Sequence, residues 1–142
     1  MTAWKPRTDS LSFERTPVPQ IVVSRAIDAP PDVVWSLLTD TQRWPEWGPS
    51  IVGVASEDRF IQAGTRGHVR TIGGLELSFR ITECADRRWT WRVARVPATG
   101  HRVEPLGAGC RVAFEIPPLA APYALVFRRA LATIDQLARD DG

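Results

Sequence analysis

The chain has 142 residues, enough for one domain with a buried core and too few for two. Hydrophobic residues make up 44% and charged residues 24%, ordinary proportions for a globular protein. Lys and Arg total 18 against 16 Asp and Glu, and the resulting net charge of +2 makes no electrostatic case for nucleic acid.

No apolar run approaches the roughly 20 residues that cross a bilayer, and Met1 to Gln20 lacks the apolar core of a secretory signal. Cys84 and Cys110 are far apart, without metal-ligand spacing, and read as two reduced thiols of a cytoplasmic protein. Neither His68 nor His101 has a ligand-type neighbour four residues on, so no metal and no cofactor is expected. Two oddities remain: Lys5 is the only lysine, and there are 6 Trp beside a single Tyr and a single Met.

Residues 1–19 are polar, contain Pro6, Pro17 and Pro19, and read as a loose N-terminal arm before a domain spanning 20–142. Ile21 to Ile27 is β-branched and strand-like. Pro30-Pro31 stops it and opens a helix whose apolar face carries Val34, Leu37 and Leu38. A second helical turn is expected at Thr41 to Trp44, running into Pro45-Glu46-Trp47.

Strands follow at Ile51 to Ser56 and Thr65 to Ile72, then Gly73-Gly74, which predicts a primed two-residue turn with both φ values positive. From Leu75 to Glu83 the chain alternates, with Leu75, Leu77, Phe79 and Ile81 on one face. Trp89, Trp91 and Val93 share a face of the next strand, and carrying that register onward puts Arg95 inward. A short strand at His101 to Leu106 and another at Cys110 to Ile116 complete the series. Pro122 to Arg139 reads as one amphipathic helix with Tyr123, Phe127, Leu131 and Ile134 on its apolar stripe.

One strand, two short helices, six meandering strands and a long helix predict an α+β fold: an antiparallel sheet curled around the C-terminal helix. One helix rarely fills such a curl, so a cavity is expected. Ile27-Asp28-Ala29-Pro30-Pro31-Asp32-Val33-Val34-Trp35, then Thr39-Asp40 and Trp44-Pro45-Glu46-Trp47, resembles the entry segment of the START-like or Bet v 1-like (SRPBCC) superfamily. Within it, the chain is most similar to the polyketide cyclase/dehydrase and lipid transport group. Gly64 to Gly67, Trp89-Thr90-Trp91 and Gly107 to Val112 fall where that group's strand motifs recur. The resemblance implies a helix-grip fold of seven antiparallel strands with an apolar pocket between sheet and helix. It spans lipid carriers, receptors and ring-closing enzymes, so the fold alone assigns no activity.

The pocket wall is expected from Phe79, Trp89, Trp91 and Phe114 of the sheet and Tyr123, Phe127 and Leu131 of the helix. Trp35 reads either as a packing residue or as part of that wall, and Trp89 and Trp91 either line the cavity or fill it. Trp44 and Trp47 form a rigid corner around Pro45, with a place on the pocket rim as the second reading. Arg25 and Arg95 fall on inward registers near strand ends, where they either form a cationic end of the pocket or reach solvent. His101 shares a face with Val103. Glu76, Glu83, Glu104 and Glu115 fall outward, opposite Arg80, Arg92, Arg102 and Arg111, as weak surface pairs.

The leading expectation is a cofactor-free binder, as monomer or homodimer, of a small hydrophobic, aromatic or lipid-like molecule that enters near Pro117, Pro118 and Pro122. The alternative is a cyclase or dehydratase in which Arg95 or Arg70 stabilises an enolate oxygen and His101 moves the proton. A third reading is a protein-interaction module whose cavity is filled by its own tryptophans.

Overall fold

A computed structural model describes residues 21–48 and 50–141, so the arm expected at 1–19 lies outside the described residues. Seven strands form one antiparallel sheet: β1 (Ile21–Ile27), β2 (Ile51–Ser56), β3 (Arg66–Thr71), β4 (Glu76–Ala85), β5 (Arg88–Val93), β6 (Val96–Leu106) and β7 (Gly109–Ile116). Their spatial order is β1-β7-β6-β5-β4-β3-β2, so β1 joins the far end of a six-stranded meander. Two short helices, α1 (Pro31–Thr39) and α2 (Trp44–Trp47), make that crossing. A 3-10 helix over Pro118–Tyr123 leads into α3 (Ala124–Asp141), which lies against the sheet. The α+β architecture is the one the alternation implies, and the register breaks at Ile51/Gly53, Ile81/Glu83 and Thr90/Arg92 are the irregularities that bend the strands.

Local chemistry explains the crossing. Pro30 caps α1 and Pro31 occupies its first turn, where a missing N–H costs nothing. The last carbonyls of α1 lack helical partners, and two indoles take them. Trp47 Nε1 donates to Leu37 O and Trp44 Nε1 to Leu38 O, both at 2.9 Å. The short helix is therefore α2 at 44–47, three residues beyond the start expected from the sequence. Opposite the sheet, α3 buries Ala130, Leu131, Ile134 and Ala138.

Three turns and strands depart from expectation. At the β3–β4 hairpin Gly74 N–H donates to Thr71 O, and of the two glycines only Gly74 has positive φ, at 85°. The turn is therefore centred on Ile72-Gly73, with Gly74 as the left-handed residue that follows it. Between β5 and β6, Ala94 and Arg95 both take positive φ, 51° and 70°, in a primed turn that carries no glycine or asparagine to announce it. In consequence β6 begins at Val96, five residues earlier than expected.

The outer face of the sheet also differs from a set of independent pairs. Glu115 is buried there, at 6% exposure, and accepts from Arg88 Nη2 and Arg102 Nη1, both at 2.6 Å. The hydrogen bond from Arg88, joined by that from Arg102, holds its carboxyl below the usual carboxylate range. Gly100 is the cross-strand partner of Glu115, and a Cβ there would lie 2.5 Å from Glu115 Oε1. Arg80 has no opposing acid in register, because its neighbours are Arg66 on β3 and Arg92 on β5.

Candidate functional site

Between sheet and helix lies a cavity of about 530 Å³, within the range of small-molecule sites. Its floor follows from strand register. Trp89 of β5 pairs with His101 of β6, which pairs in turn with Phe114 of β7, so three inward rings form a row across the sheet. The imidazole of His101 lies face to face with the indole of Trp89, 3.8 Å between centroids and 15° from parallel. Trp44 lies parallel to Trp89 at 5.4 Å, and Trp91 meets Trp44 and Trp89 edge-on. Phe127 of α3 closes the far side against Phe114 at 6.0 Å.

Three polar side chains of the wall, Trp91, Thr99 and His101, form a directed chain. Trp91 Nε1–H donates to Thr99 Oγ1 at 3.2 Å, and His101 Nδ1 lies 3.4 Å from Trp89 O. A carbonyl oxygen only accepts, so Nδ1 carries the imidazole proton. Nε2 is then the acceptor, and Thr99 O–H donates to it at 3.1 Å. Thr99 has spent its one proton and one lone pair, leaving one lone pair as an acceptor in the wall. Burial disfavours the imidazolium and pushes the His101 pKa down to about 3, so the ring is neutral at physiological pH. The indole N–H of Trp89 has no hydrogen-bond partner among the described residues.

Among the described residues, no Asp, Glu, Lys or Arg lines the cavity. The expected residues therefore divide. His101, Trp89, Trp91, Phe114, Tyr123 and Phe127 line it. Phe79 and Leu131 are buried in the core, Phe79 supporting the wall through tilted contacts with Trp44 and Trp91 at 5.4 and 5.8 Å. Trp35 is half-buried against the core and outside the cavity wall.

The three arginines lie elsewhere. Arg25 does face the helix, but its Nε donates to Asp135 Oδ2 at 2.7 Å, an ion pair on α3 away from the cavity. Arg95 is exposed because the chain turns at Ala94-Arg95 before the strand register can carry it inward. Arg70 alternates with the inward Val69 and so lies on the outer face, across Gly53. The cationic end expected of the pocket is absent from its described lining. Nor do the tryptophans fill the space: they are its walls.

Thr99 was missed, although its signal was available: it stands two residues before His101 and so shares its face. Trp44 and Trp47 also line the cavity. The large hydrophobic lining side chains most exposed to solvent, Leu119, Tyr123 and Val96, mark the mouth, beside Pro117 and the 3-10 helix.

A curled seven-stranded sheet gripping a C-terminal helix over an apolar cavity defines the Bet v 1-like helix-grip class. The chain belongs to the family described as polyketide cyclase / dehydrase and lipid transport, whose pattern it matches over residues 18–138. Solved structures share the fold. Protein MLL2253 from Mesorhizobium loti is 16% identical with a TM-score of 0.70, covering 87% of this chain and 99% of its own. CV1439 from Chromobacterium violaceum is 22% identical with a TM-score of 0.62, covering 84% and 96%. The Aha1 dimer from Colwellia psychrerythraea is 15% identical with a TM-score of 0.66, covering 85% and 96%. No curated protein is matched by the chain.

Proposed function

We propose that the protein binds an uncharged, ring-containing apolar molecule in this cavity, as a carrier or sensor. The observation that carries the reading is the lining: several aromatic faces, no charged side chain among the described residues, and a Thr99 hydroxyl beside His101 with a lone pair to spare. Binding comes mainly from apolar burial, at roughly 25 cal/mol per Å². The free lone pair of Thr99 favours a ligand that donates one hydrogen bond, an alcohol or a phenol, over one that presents a carboxylate. A bare carboxylate in this wall would lose its hydration with no cation among the described residues to replace it.

The cyclase reading draws less support. It needs a cation at the enolate oxygen, and Arg95 and Arg70 lie outside the cavity. It also needs His101 to exchange protons near neutrality, which burial opposes.

Three matched probes test the binding reading on the full chain: naphthalene, 1-naphthol and 1-naphthoate, followed by tryptophan fluorescence and calorimetry. Both neutral probes should bind, naphthol the tighter, and Thr99→Val should abolish naphthol's advantage. Absence of binding by all three would overturn the reading, and tightest binding of naphthoate would overturn its uncharged character.

A further inference from the structure

We propose that the rim of the cavity is a docking surface for an anionic lipid bilayer. The proposal stands on the rim itself and goes beyond the binding reading, whatever molecule occupies the cavity.

Six large hydrophobic side chains are the most exposed among the described residues: Leu119, Leu125, Ile72, Tyr123, Leu75 and Val96, from 92% down to 56%. They come from three separate segments; three of them line the cavity and the other three stand within two residues of lining residues in the chain. Leu119, Tyr123 and Val96 line the cavity directly. Ile72 and Leu75 form the tip of the β3–β4 hairpin, whose two arms supply Thr71 and Leu77 to the lining. Leu125 sits in the first turn of α3, between the lining residues Tyr123 and Val126. Scattered exposed hydrophobics are normal on a protein surface, whereas a ring of them around one opening marks an interaction site.

Charge names the partner. The rim segments 71–77, 93–98 and 117–129 contain Arg95, Arg128 and Arg129 and a single carboxylate, Glu76. Glu76 lies opposite Arg70 in the β3–β4 ladder. None of the three rim arginines makes an ion pair among the described residues, which is equally true of Arg66, Arg70, Arg80, Arg92 and Arg111, so the rim is set apart by its excess of three arginines over one carboxylate rather than by their being unpaired. Arg128 and Arg129 follow Leu125 by three and four residues, so they share its helix face one turn behind. An apolar tip with arginines one turn back suits a bilayer surface: Leu and Tyr enter the interface while guanidinium groups meet anionic headgroups. A second copy fits worse, because a two-fold contact through this rim would bring both sets of unpaired arginines together. A bilayer also matches the cavity's chemistry, since an apolar molecule could pass from membrane to cavity without crossing water.

Flotation with vesicles tests this, using phosphatidylcholine alone and phosphatidylcholine with a quarter phosphatidylglycerol. The full chain should bind the anionic vesicles about tenfold more strongly than the neutral ones. Leu75→Asp with Leu125→Asp, both outside the cavity lining, should remove most binding to both. Arg128→Glu with Arg129→Glu should bring anionic vesicles down to the neutral level. Circular dichroism and naphthalene binding check that each variant is folded with its cavity intact, and because vesicle binding is read without any cavity ligand, failure here is separable from failure of the binding reading. Equal binding to both vesicle types, binding that survives the leucine substitutions, or no vesicle binding at all would overturn the proposal. A dimer abolished by the same substitutions, without vesicle binding, would assign the rim to a second copy instead.

Discussion

His101 and Trp89 lie face to face at 3.8 Å, brought together by cross-strand register between β6 and β5. The pair explains why a histidine can sit in an apolar wall: the imidazole is neutral, stacked, and hydrogen-bonded at both nitrogens.

That burial makes stability depend on pH. The folded pKa of about 3 lies below the ordinary value of 6.5, so between these two values the unfolded chain binds more protons. Stability therefore falls as pH drops through this window, by about 2 kcal/mol from His101 at pH 5. Urea denaturation at pH 7 and pH 5 should show this loss, and His101→Asn should remove most of it. An unchanged slope in the variant would transfer the effect to other groups.

Gly100 and Glu115 should be energetically coupled. A Cβ on Gly100 meets the Glu115 carboxylate at 2.5 Å, and that carboxylate is held by Arg88 and Arg102. Gly100→Ala should cost about 1–3 kcal/mol in the wild type. In a Glu115→Ala background the same change should cost less than about 0.5 kcal/mol. A double-mutant cycle by chemical denaturation measures the difference.

The turn at Ala94-Arg95 places two residues that carry a Cβ in left-handed backbone. Ala94→Asn with Arg95→Gly supplies the residues this turn type prefers and should stabilise the protein by about 1 kcal/mol. Thermal unfolding should show a rise of several degrees. A fall would indicate that Arg95 makes a compensating contact.

Arg25 is held by Asp135 on α3 and is partly exposed, at 44% of its side chain. Arg25→Met should lower stability by no more than about 1 kcal/mol, since Arg139 also reaches Asp135. Naphthalene affinity should be unchanged. A lost affinity would return Arg25 to the site.

Ala120 lines the cavity near its mouth and is half-buried. Ala120→Trp should fill the opening and weaken naphthalene binding at least tenfold, with a melting temperature near wild type. Undiminished binding would mean that the ligand sits elsewhere.

Strict alternation made Trp89, Trp91 and Phe114 legible as inward residues, because a period of two leaves only two faces to choose between. The same rule failed at Arg95, where a primed turn without glycine ended the strand unannounced. It also reached its limit at Arg25, whose inward register is real but whose partner, Asp135, lies 110 residues away. Glu115 is likewise an outward residue by alternation, yet two arginines and a glycine opposite bury it.

By itself the sequence determined the class of fold and the tryptophan strand that walls the cavity, since both follow from local periodicity and from where prolines stop it. Only the tertiary structure decided that the described wall carries no charged side chain and that His101 is neutral. Those properties depend on which distant residues converge, where each strand turns, and how much water their packing excludes. The six tryptophans counted at the outset therefore divide by position. Trp44, Trp47, Trp89 and Trp91 surround the cavity, Trp35 packs beside it, and Trp4 lies outside the described residues.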